Sequence, residues 1–188
     1  MIKYVILFSL TLFIIGTGFQ ISEPNPMNFN FAGQQWSFPI TIKEAVKKHN
    51  LNYKPPGYYY QKKTEDLEIV LDYHYHSGDF YNEYQPKEIL FPMQLHSYIF
   101  IFAERAGVYD SLRQNLEKSF NTKFHLVRGI KDAPLAIEKE FEFDFLTVNP
   151  NLVIGIKRSP PGRAKKTITV RFMYNLPMNK MGVYMGSY

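Results

Sequence analysis

The chain contains no cysteine, which excludes disulfide scaffolds, thiolate zinc sites and cysteine nucleophiles together. Tryptophan is nearly missing too, with Trp36 the single copy in 188 residues. Acidic side chains stop early: all 17 lie between Glu23 and Asp144, and the 44 residues after Asp144 hold none. Catalytic signatures are also lacking. There is no G-x-S-x-G elbow, no phosphate-cradling G-x-x-x-x-G-K-[ST], no H-E-x-x-H and no dinucleotide fingerprint, so the sequence gives no support for an enzyme.

What is present is ordinary in bulk and aromatic in detail. Hydrophobic residues make up 45% and charged residues 21%, which excludes wholesale disorder. Sixteen Phe and fourteen Tyr favour pleated, half-buried surfaces over helical bundles.

The amino terminus reads as an address. Lys3 precedes an apolar run from Tyr4 to Ile15, interrupted only by Ser9 and Thr11, and Gly16-Thr17-Gly18 follows. That order of charge, apolar run and small residues predicts a secretory signal over 1–18, cut after Gly18. The rival is an uncleaved membrane anchor, although the run falls short of the ~20 residues that cross a bilayer. The expected destination is the periplasm or the exterior, and the absence of a cysteine after the run argues against a lipoprotein.

Residues 19–40 read as an extended arm, broken by Pro24, Pro26 and Pro39, with MNFNFAG at 27–33 alternating like an edge strand. The domain proper is expected over 41–176. Thr41 and Glu44 form a T-x-x-E capping box, and Ile42, Ala45, Val46 and His49 share a helix face that Asn50 closes. Strand patterns follow at 57–63, 68–76 and 95–103, the last nearly all apolar and therefore central. Leu112, Leu116 and Phe120 mark a second helix over 109–120. Alternating residues at 138–148, then NLVIGIKR and KKTITVRFMYN, predict three more strands, turning first at Pro150-Asn151. Residues 177–188 form a loose tail. The expected fold is α+β, an antiparallel twisted sheet with two helices packed on one face. The helix-then-strands order repeats, as a duplication would, without residue-level identity between the halves.

Three patterns carry candidate chemistry. Asp72, His74 and His76 share one strand face, with His96 and Asp79 as further nominees for a divalent metal; a polar, solvated strand face explains the same residues. Met178, Met181 and Met185 suit soft copper(I) or simply an apolar tail.

The third pattern is charge segregation. Seven bases follow Asp144, and Arg158, Arg163, Lys165 and Lys166 crowd one hairpin loop. Such a loop fits an anionic membrane, a polysaccharide or an acidic partner. The competing reading is local pairing: a two-residue turn at 150–151 sets Asp144 opposite Lys157, so that the acidic ladder Glu138, Glu140, Glu142, Asp144 meets its neighbour's bases. Nucleic acid is disfavoured by the modest net charge and by export.

The resulting expectation is an exported, non-enzymatic envelope domain that binds a protein or an envelope component. The alternatives are a metal-binding exported protein using His74 and His76, and a small outer-membrane barrel, which export, abundant aromatics and terminal Tyr188 would suit.

Overall fold

The computed structural model describes residues 26–53, 60–64, 66–72, 92, 94–127, 143–160 and 162–174. The leader at 1–18, His74, His76, the acidic ladder at 138–142 and the tail at 177–188 lie outside the described residues.

The fold is α+β, as expected. Strands β1 (Met27–Phe31) and β2 (Gln34–Phe38) pair as an antiparallel hairpin that forms its own two-stranded sheet. Helix α1 (Ile42–His49) follows, then β3 (Asn52–Tyr53), β4 (Tyr60–Lys63), β5 (Leu67–Asp72) and β6 (Ser97–Ala103). Helix α2 (Val108–Phe120) precedes β7 (His125–Val127), β8 (Phe143–Asn149), β9 (Leu152–Arg158) and β10 (Thr167–Tyr174). The larger sheet is antiparallel, in the order β3-β4-β5-β6-β10-β9-β8-β7.

Read outward from the β6–β10 seam, that order is the same in both directions. Each half is a helix followed by a four-stranded meander, joined to the other half through its last strand. A twofold axis normal to the sheet relates antiparallel neighbours while leaving each face on its own side. Both helices of such a repeat therefore fall on one face, and they do: His49 of α1 meets Tyr98 of β6, and Phe120 of α2 meets Phe172 of β10.

Local sequence explains both helices. The α1 capping box is complete, with the Glu44 N–H donating to Thr41 Oγ1 at 3.2 Å and the Thr41 N–H donating to Glu44 Oε2 at 3.0 Å. Those bonds to Thr41 also hold the Glu44 carboxyl below its usual range. Asn50, left-handed at φ 50°, stops the helix. Helix α2 starts after Gly107 at φ 78°, which a side chain would strain, and ends at the left-handed Asn121.

Within the segment read as an arm, the hairpin at 27–38 is part of the core. Phe29 stacks on Phe172 with centroids 4.4 Å apart, and Phe31 meets Phe100 edge-on at 4.8 Å. Trp36 stands edge-on to both Tyr98 and Phe100 at 4.8 Å, while its indole N–H donates to the Phe31 carbonyl at 2.8 Å. Aromatic pairs of this geometry add about 0.5–1.5 kcal/mol each beyond area burial, enough to hold so short a hairpin on the sheet. Phe29, Trp36 and Phe38 alternate in the sequence with polar residues, the pattern of a half-buried ribbon.

The helix-side core joins Ile69, Leu71, Tyr98, Phe100, Val170, Phe172, Ile154, Ile156 and Leu146 with Ile42, Ala45 and Leu116. The opposite face is buried as well, through Val70, Ile99, Met173, Val153 and Phe145. Strand β6, expected to be central and covered on both sides, is both.

Candidate functional site

Register decides what the charged residues can do. The turn forms at Pro150-Asn151, where Asn149 Oδ1 accepts from the Asn151 and Leu152 N–H groups at 2.8 and 2.9 Å. Asn149 pairs with Leu152, yet Thr147 pairs with Val153, so Val148 bulges out of the ladder. One extra residue shifts everything before it, and Asp144 lies across from Ile156. The expected Asp144–Lys157 pair therefore does not form. The two side chains point to opposite faces of the sheet.

Asp144 instead turns under α2 and is only 8% exposed, away from the bases it was expected to face. Its Oδ2 accepts from the Tyr109 hydroxyl at 2.8 Å and stands 3.2 Å from Arg113 Nη1. A buried carboxylate needs this pairing. In return, burial and the bond to Asp144 push the Tyr109 phenol up, keeping it a proton donor. Glu117 extends the network to Arg113 and Lys123 and caps the Phe124 N–H at 3.1 Å.

On the other face Lys157 is 4% exposed and Arg171 is 1% exposed. They sit on adjacent strands two residues apart in register, Lys157 beside Thr169 and Arg171 beside Gly155. Burial, then the charges of Arg171 and Arg163, push the Lys157 ammonium down from 10.5 to about 7. Both bases belong to the basic C-terminal quarter, and their burial is a finding of the structure. A signal existed: both lie inside strands whose alternate positions are apolar on either face.

The four bases nominated for an anionic contact separate into two groups. Arg158, the last residue of β9, is engaged: its Nε lies 3.5 Å from Glu104 Oε1 and its guanidinium lies 4.2 Å from the centroid of the Tyr109 ring. Arg163, Lys165 and Lys166 stand exposed on the loop between β9 and β10, near the positive-φ Gly162. The loop stem is closed by Ser159 N–H to Thr167 O at 2.7 Å and by Thr167 N–H to Ser159 Oγ at 3.0 Å.

Of the metal candidates only Asp72 and His96 are among the described residues; His74 and His76 lie outside them. Asp72 ends β5 opposite Ser97, the residue after His96. His96 is buried, with Nδ1 3.3 Å from the Tyr174 carbonyl oxygen. No group of three or more His, Asp or Glu stands in metal-binding proximity among the described residues. No described helix is long and apolar enough to cross a membrane.

One further titratable group was placed in the sequence reading only as a helix-face residue. His49 is 5% exposed and lies parallel to Trp36 at 3.9 Å, with Tyr98 edge-on at 5.8 Å. Nδ1 is 3.3 Å from Gln34 Oε1, and Nε2 is buried without a hydrogen-bond partner. Burial first, then the charges of Lys48 and Lys62, drive the imidazole down from 6.5 to about 4.

Comparison of the chain with family models, curated proteins and solved structures gives no match in any of the three.

Proposed function

We propose that this chain is an exported, non-enzymatic domain of the cell envelope that docks on an anionic surface through Arg163, Lys165 and Lys166. The observation that carries the reading is the exposure of these three bases on one hairpin loop, whose nearby acid, Glu104, is already engaged with Arg158.

The test is sedimentation with vesicles of phosphatidylglycerol in phosphatidylcholine at low salt. Each base held near an anionic surface contributes about 1 kcal/mol, so Arg163→Gln, Lys165→Gln and Lys166→Gln together should weaken binding roughly a hundredfold. Binding by the parent protein should also fall steeply as salt is raised. Undiminished binding by the triple variant, or binding indifferent to salt, would refute the proposal. Metal binding at His74 and His76 has no supporting observation among the described residues. The barrel alternative has none either: the described strands form an open order, with α1 and α2 on one face.

A further inference from the structure

The loop that carries the three exposed bases, closed at its stem by Ser159 and Thr167, is gripped there by one further residue. Glu104 follows β6 directly. Its backbone N–H donates to the Lys166 carbonyl at 3.1 Å, and its carboxylate stands 3.5 Å from Arg158 Nε. One acid thus holds both stems of the loop, Arg158 on the outgoing strand and Lys166 on the return. The Arg158 guanidinium lies over Tyr109 at 4.2 Å, and the Tyr109 hydroxyl is anchored on Asp144 at 2.8 Å. The chain of contacts runs from the loop root into the buried network beneath α2.

We infer that Glu104, Arg158 and Tyr109 form a clamp that fixes how the loop presents Arg163, Lys165 and Lys166, with Arg158 a positioning residue and not a contact to the anionic surface. The inference rests on the proposed function above and assigns roles within it. Arg158 is held on two sides at once. To reach an anion it would have to leave the Tyr109 ring and expose the Glu104 carboxylate to that same anion. A side chain so placed serves binding by keeping the loop ordered before contact, which lowers the conformational cost of docking.

The test exploits opposite signs. Glu104→Ala removes a negative charge beside the loop, which on electrostatics alone tightens binding to phosphatidylglycerol vesicles. Release of the clamp weakens it instead, by an expected three- to tenfold. Arg158→Lys keeps the charge but loses the planar stack and the Nε contact. It should weaken binding by a similar factor with the salt dependence unchanged, whereas Lys165→Gln should make the salt dependence shallower. Loop order is read without any vesicle by limited trypsin digestion, since Arg163, Lys165 and Lys166 are themselves cleavage sites. Cutting there should be several-fold faster in Glu104→Ala and Arg158→Lys than in the parent, with Trp36 emission unchanged as a check on folding. Equal cutting rates, or tighter binding by Glu104→Ala, overturn the clamp. Faster cutting in a protein that never binds vesicles overturns the proposed function and leaves the clamp standing.

Discussion

Protonation of His49 isolates one buried contact in a way that a single fluorophore can follow. The Nδ1–H donates to Gln34 Oε1, so the incoming proton must bind Nε2, which is buried without an acceptor. The charged groups acting on the ring are Lys48 and Lys62, both cations, and every influence therefore opposes the charged form. The folded pKa is about 4 against an ordinary 6.5. The unfolded chain then takes up a proton that the folded chain refuses, so this group's contribution is complete above 6.5 and is lost as pH falls toward 4. At about 1.4 kcal/mol per pKa unit the ceiling is about 3 kcal/mol, and about 2 kcal/mol of it should be gone by pH 5. Trp36, parallel to the ring at 3.9 Å and the only tryptophan in the chain, reports unfolding directly. Urea titrations at pH 7.5 and pH 5.0 should be run on the parent and on His49→Phe, which keeps the aromatic stack and cannot titrate. The parent should lose about 2 kcal/mol more than the variant between the two pH values. An equal loss in both proteins would show that His49 is not held neutral by its surroundings, and the reasoning would fail.

Two other perturbations probe the register and the α2 network. Tyr109→Phe removes the hydroxyl from Asp144 but leaves Arg113 in place, so thermal melts should show a loss of about 1.5–3 kcal/mol, the value of a hydrogen bond to a charged group. Deletion of Val148 removes the bulged residue and leaves Asn149 against Leu152, Thr147 against Val153 and Asp144 against Ile156 in an unbroken ladder. Phe145 and Leu146 keep their partners, Gly155 and Ile154, and so their faces. The product should keep cooperative urea unfolding, and its loss would mean that Val148 does more than set the register.

Much of the fold was legible because its signals are local. The Thr41–Glu44 box, the Asn50 stop, the 109–120 periodicity and the apolar run at 95–103 each depend on a few neighbouring residues, and each lies where it was read. The failures share a cause. The segment at 27–38 carries an alternating pattern, but nothing local says that Phe29 will stack on Phe172, about 140 positions away. The pairing of Asp144 with Lys157 followed from counting across a two-residue turn, and one bulged valine reversed it. Arg158 looked equal to Arg163, Lys165 and Lys166 in the sequence because Glu104 and Tyr109, which hold it, are more than 45 positions away.

Composition and local pattern alone determined that this is an α+β chain without thiol chemistry, acid-bearing up to Asp144 and wholly basic after it. Those properties belong to residue types and near neighbours, and no fold can alter them. Only the tertiary structure decided which charges face the core, which face solvent and which are already paired. A strand residue's face depends on register, and register is set by partners distant in sequence and by single-residue bulges. The missing acids after Asp144 thus acquire their meaning in space: one acid just past the end of β6, Glu104, holds Arg158 at the loop root, and Arg163, Lys165 and Lys166 are left outward.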